Sequence, residues 1–179
     1  IDNDPPHGIQ PRRQAFGYDV EYSLDSMHFL KEMMDILGEL GWDLHDVVAE
    51  GAYSQFELDF HYTDLLQMAD RLVFLKILLK EVAKKHDMFV TFMPKPTIGD
   101  WRSGGHINFS LNDIKKNANV FKDGDKWSQD AMHAVGGLLE HSEAITAITC
   151  PTVNSYNGLV PTVGGFEAVS YTHLRAHET

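Results

Sequence analysis

Apolar residues in residues 24–40 return at three- and four-residue steps (Met27, Leu30, Met33, Met34, Leu37, Leu40), the period of one helix face. Asp25 or Ser26 can cap the start of this helix, and Gly41 stands where a C′ glycine ends one. Residues 44–49 and 55–60 read as two strands joined by Gly51-Ala52-Tyr53-Ser54. The second alternates: Gln55, Glu57 and Asp59 point one way, Phe56, Leu58 and Phe60 the other. A long helix is expected over residues 63–85, with Thr63 as N-cap and Leu66, Ala69, Val73, Ile77 and Val82 as its buried stripe. Lys84 and Lys85 suit its C-terminal dipole.

Residues 88–93 read as a third strand, closed by Pro94-Lys95-Pro96, and residues 98–105 as a loop rich in glycine. Residues 106–111 alternate again, with His106, Asn108 and Ser110 on one face and Ile107, Phe109 and Leu111 on the apolar other. A polar stretch, 112–125, leads to a last helix over 128–148, and Pro151 opens another loop. Loops separate strands as often as helices do. The expected fold class is therefore α+β, with a largely antiparallel sheet and packed helices.

Composition narrows the choices only slightly. The chain of 179 residues is 43% apolar and 23% charged, which suits one globular domain, and its net charge of −11 argues against nucleic acid as a partner. No apolar run approaches the roughly 20 residues needed to span a bilayer, so no membrane role is expected, and no signal peptide is apparent. A single cysteine, Cys150, excludes an internal disulfide framework and fits a reducing compartment such as the cytoplasm.

Candidate chemistry gathers on two strand segments. Glu50 and Glu57 flank a tight connection, and His106 follows a glycine-rich turn. Two carboxylates and an imidazole make a hard donor set that suits Mg2+ or Mn2+ better than zinc. By pattern alone, Glu57 with Asp59 reads first as a solvated strand face and His106 as a hydrogen-bonded structural histidine, with the metal site second. Lys95 and Arg102 bring positive charge into the loop 94–105, which has neither the spacing of a Walker loop nor that of a dinucleotide fingerprint; a plain surface turn is its first reading.

Four segments change those odds. Residues 50–57 (EGAYSQFE), 91–96 (TFMPKP), 105–110 (GHINFS) and 151–156 (PTVNSY) resemble, in order and at compatible spacings, the catalytic domain of the glutamine synthetase family. The likeness covers residues 18–168, leaving 1–17 as a linker or loop and 169–179 as a tail of doubtful origin. It implies that Glu50 and Glu57 are acidic metal ligands, that His106 binds a second metal, and that Asn108 and Ser110 contact ATP. By the same likeness Glu167 is the flap glutamate that shields an acyl phosphate and accepts a proton from the incoming amine.

The implied reaction is an ATP-dependent carbon–nitrogen ligation of glutamate with ammonia through γ-glutamyl phosphate, in a homo-oligomer of identical subunits. Three departures bear on it. Trp101-Arg102 stands where family members usually have Asn-Gly, Gly158 stands where they usually have a substrate-gripping arginine, and extra residues around Thr162-Val163-Gly164 precede Glu167. These bring the pattern closer to γ-glutamylmethylamide synthetase-like ligases, which use a small alkylamine, with Arg102 as the substitute substrate-binding arginine. The resemblance also implies that the N-terminal β-grasp domain and a Glu-x-Glu strand are absent, so this fragment itself is expected to be inactive. A non-catalytic structural relative is a further alternative, which the four retained polar side chains oppose; a plain metal-binding module is another, which the Pro-Lys-Pro loop and ATP-strand match oppose.

Overall fold

The computed structural model describes residues 24, 26–52, 54–98 and 100–159. They fall into two units, the first ending at Ser103 and the second starting at Gly104. The architecture is α+β, and every strand pairing among the described residues is antiparallel.

The first unit is built on helix α1 (Met27–Glu39), hairpin β1 (Leu44–Ala49) and β2 (Phe56–Phe60), and helix α2 (Leu65–Lys85). α1 buries Phe29, Leu30, Met33 and Leu37, spaced to form one face. It ends as expected: Gly41 takes φ +66°, and Trp42 N–H donates to the Leu37 carbonyl at 2.9 Å, satisfying a carbonyl the helix would otherwise orphan. α1 is capped at Ser26 but without a side-chain cap bond, while Asp25 lies outside the described residues.

Two expectations about α2 are corrected. Its N-cap is Asp64, whose carboxylate accepts from Leu66 N–H at 3.0 Å; Thr63 instead bonds the Gln67 side chain. Its buried residues are Leu75, Leu79, Val82 and Ala83, whereas Leu66, Val73 and Ile77 are 71%, 66% and 56% exposed and Ala69 is also exposed. At 3.6 residues per turn these two sets lie on roughly opposite sides of the helix, and Val82 belongs to the buried one. Both sides are apolar in sequence, so periodicity permits either; packing against Met33 and Leu37 of α1 selects the second. Glu32 ties the helices together across their polar margin, accepting from Lys85 Nζ at 2.8 Å and pairing with His86 Nε2 at 2.7 Å. The apolar face of the hairpin (Val47, Phe56, Leu58, Phe60) packs on the same core.

Residues 88–93 and 106–111, expected as strands, join no ladder. Alternation makes a segment eligible for a sheet, but a strand exists only through a partner supplied from elsewhere in the chain. In the second unit, the polar stretch instead forms two short hairpins, β3 (Asn112–Asp113) with β4 (Ala118–Asn119) and β5 (Lys122–Asp123) with β6 (Lys126–Trp127). Their turns use Asn117 at φ +47° and Gly124 at φ +60°, the left-handed region these residues tolerate.

The expected last helix is two: α3 (Gln129–Glu140) and α4 (Ser142–Thr149), separated at His141, whose ψ of 13° leaves the helical basin. Ser128 caps α3, accepting from Ala131 N–H at 3.1 Å while its hydroxyl donates to the Val120 carbonyl at 2.6 Å. The loop expected after Pro151 contains a short helix, α5 (Val153–Leu159), started by Thr152, whose hydroxyl oxygen accepts from Ser155 N–H at 3.2 Å. Among the described residues no helix is long and apolar enough to cross a membrane.

Candidate functional site

Strand register places the acidic residues of the first hairpin. Val48 pairs with Glu57, Ala49 with Phe56, and Asp46 with Asp59. Glu50 N–H continues the ladder, donating to the Gln55 carbonyl at 2.9 Å. Because side chains alternate, Asp46, Glu50, Glu57 and Asp59 share the face opposite Phe56 and Leu58. Glu50 and Glu57 are diagonal neighbours on it, within reach for long side chains. Glu57 is pushed up to about 7 by the neighbouring Glu50 carboxyl group, by burial and by the adjacent Asp59 charge.

The turn joining the strands is held from several sides. Gly51 N–H donates to Glu50 Oε2 at 3.2 Å, fixing the carboxylate's direction. Gln55 N–H donates to the Ala52 carbonyl at 3.2 Å, and Ser54 takes φ +51° to close the bend. The Gln55 side chain bridges outward: its Oε1 accepts from Ala52 N–H at 3.1 Å, and its Nε2 donates to the Arg102 carbonyl at 3.0 Å. Gly51 is buried beneath the Trp101 indole, so closely that a Cβ there would lie 2.4 Å from two ring carbons. Glycine is required here by approach rather than by backbone angle.

The loop bearing Trp101 is itself braced. Ser103 N–H donates to the Pro94 carbonyl at 2.8 Å, and buried Lys95 donates through Nζ to the Asp100 carbonyl. Lys95 therefore has a structural anchor as well as its charge.

The structure thus brings together Glu50 and Glu57, with Arg102 bound through its backbone to the same turn. His106, Asn108 and Ser110 belong to the second unit, where all three are exposed. Glu167 lies outside the described residues. Among the described residues, no group of three or more His, Cys, Asp or Glu side chains is placed to hold a metal ion. The pair nevertheless fits a hard cation: two carboxyl groups side by side, with the proton affinity of Glu57 raised by its neighbours, are an oxygen donor set short of positive charge, and Mg2+ is often held by one or two carboxylates with water and phosphate completing its shell. Sequence reasoning missed Gln55, Gly51 and Trp101 as supports of the pair. The one available signal was a glycine directly after Glu50.

Hairpin and helices define an α+β domain whose acidic sheet face suits a hard divalent cation. The family model described as "Glutamine synthetase, catalytic domain" matches residues 2–174, and the chain belongs to that family. It is 42% identical to a glutamine synthetase of Pyrococcus abyssi over 142 residues, covering 79% of this chain and 30% of that protein. It is also 42% identical to one of Methanosarcina mazei over 163 residues, covering 89% of this chain and 32% of that protein. Two solved structures are similar at 33% identity. One is GmaS without ligand (TM-score 0.79, 88% of this chain and 37% of that one), the other a GmaS/ADP complex (TM-score 0.77, 86% and 35%). The chain spans about a third of the length of these curated relatives.

Proposed function

We propose that this chain is the part of an ATP-dependent carbon–nitrogen ligase that forms a γ-glutamyl amide from glutamate and ammonia by way of γ-glutamyl phosphate. The observation that carries the reading is the Glu50–Glu57 carboxyl pair, in a segment whose family is that of the glutamine synthetases. Glu50 and Glu57 hold one divalent ion, Mg2+ or Mn2+, and His106 contributes to a second. The bound metals supply charge neutralisation for phosphoryl transfer. Asn108 and Ser110 contact ATP, Arg102 binds the substrate carboxylate, and Glu167 shields the acyl phosphate from water and takes a proton from the attacking amine. The full-length protein acts as a homo-oligomer in the cytoplasm.

A small alkylamine as acceptor is the second reading. It is favoured by Trp101, which brings an indole to the turn beside Glu50, where an apolar wall would accept a methyl group better than water would. The test is phosphate release by the full-length protein carrying this segment, with ATP, Mg2+ and glutamate against ammonia, methylamine and ethylamine. Glu57→Gln serves as the inactive control. Release that is independent of glutamate and of every amine would refute both readings.

A further inference from the structure

We propose that Trp101 and Gln55 are positioning residues for the Glu50 carboxylate, so that the 94–103 loop sets the divalent-cation affinity of the Glu50–Glu57 pair. The proposal rests on the reading of that pair as a metal site and adds the device that aims it. Contact by contact, the path is short. The Trp101 indole covers buried Gly51 with no room for a Cβ between them. Gly51 N–H donates to Glu50 Oε2 at 3.2 Å. Any movement of the Gly51 peptide therefore redirects the carboxylate oxygen that a cation would use.

Gln55 acts on the other end of the same turn. Its side chain joins Ala52 N–H at 3.1 Å to the Arg102 carbonyl at 3.0 Å, so the turn and the loop are tied to each other. Its backbone carbonyl holds Glu50 N–H at 2.9 Å. The loop is braced at its base by Ser103 N–H on the Pro94 carbonyl, 2.8 Å, and by the buried Lys95 on the Asp100 carbonyl. Simple packing would not need this arrangement: a ring over a glycine buries area, whereas the Gly51–Glu50 and Gln55–Arg102 bonds connect that ring to a charged donor. Neither Trp101 nor Gln55 is expected to touch the cation. Supporting partners of this kind typically change metal affinity by about 10–100-fold when removed.

The test measures Mn2+ affinity of the full-length protein by electron paramagnetic resonance of the free ion, together with the thermal midpoint of each variant. Trp101→Ala and Gln55→Ala are each expected to weaken Mn2+ binding about tenfold. Trp101→Phe, which keeps an aromatic ring over Gly51, is expected to recover most of that loss. Affinity is taken per folded molecule, so a variant that is merely less stable does not imitate the effect, and Gln55→Ala leaves the indole in place should Trp101→Ala fold poorly. Wild-type binding that is unchanged in both alanine variants overturns the proposal alone. Absence of Mn2+ binding by the unaltered protein overturns the metal reading and the proposal with it.

Discussion

Replacing Gly51 by alanine is expected to destabilise the first unit by about 1–3 kcal/mol, the usual cost of forcing extra volume into a packed site. The magnitude follows from three distances. The added Cβ would lie 2.4 Å from Trp101 Cδ2 and Cε3 and 2.6 Å from Cε2, where carbon atoms prefer about 3.5–4.0 Å. All three belong to one rigid bicyclic ring, so no terminal rotation relieves all three contacts. Either the indole swings away and uncovers Gly51, or the turn shifts and carries Glu50 with it. Trp101 is 45% exposed and has water to move into, which keeps the cost at the level of lost packing. Urea unfolding followed by far-ultraviolet circular dichroism gives the difference, provided the slope is unchanged. A double-mutant cycle supplies the decisive comparison. In a Trp101→Ala background the three ring atoms that crowd the added Cβ are gone, and the penalty of Gly51→Ala is expected to fall within about 0.5 kcal/mol of zero. A penalty of the same size in both backgrounds would refute the steric account, as would a Gly51→Ala protein as stable as the original.

Four other outcomes are expected. Leu37→Ala, at a fully buried position of α1, is expected to cost about 2–5 kcal/mol in urea unfolding, whereas Val73→Ala on the exposed side of α2 stays within about 0.5 kcal/mol; the reverse order would put the wrong face of α2 in the core. Ser128→Ala is expected to cost about 0.5–2 kcal/mol, since it removes the cap of α3, with circular dichroism and unfolding midpoint as the check. Glu32 is held below the ordinary carboxylate range by hydrogen bonds from Lys85 and His86, so the stability it contributes is present above the ordinary value of 4.5 and is lost as pH falls through the lowered one; a thermal midpoint that falls just as steeply with acid in Glu32→Gln would contradict this. Glu57 has the opposite sign. Its raised value, about 7 against an ordinary 4.5, means the folded chain binds its proton more tightly, so stability in EDTA declines as pH rises between those values, and Glu57→Gln is expected to flatten that decline.

The parts of the fold legible in sequence are those decided locally. Leu30, Met33 and Leu37 define α1 because a single apolar face leaves one way to pack it, and Gly41 stops it because few other residues accept φ +66°. The phase of Glu57 is legible for the same reason: Phe56 and Leu58 leave its side chain only the other face. α2 fails this test. With leucine, valine and isoleucine on both sides, its sequence contains two candidate stripes, and the choice between them is made by α1, which lies far away in the chain. Residues 106–111 fail differently, since their alternation describes a strand whose partner has to come from another segment.

The same distinction explains what was visible of the candidate site. Glu50 and Glu57 could be nominated from a short turn and an alternating strand, but their pairing across a diagonal follows only from the register Val48 to Glu57, which no local pattern specifies. Their support comes from much farther off: Trp101 lies some fifty positions beyond Gly51 in the sequence, in a loop that reads as an ordinary surface turn. A glycine in a turn is usually explained by backbone conformation, and at Gly51 that explanation fails, because what the position lacks is room. The ring at 101 and the glycine at 51 therefore meet in a single contact. A bulky ring at 101 is tolerable only where residue 51 has no side chain, and the Arg102 carbonyl is reachable only because Gln55 sits at the foot of the same turn. Grafting Asn-Gly into positions 101 and 102 would relieve the crowding at Gly51 and remove the ring that fixes its peptide, so such a variant should tolerate Gly51→Ala while holding Glu50 less firmly.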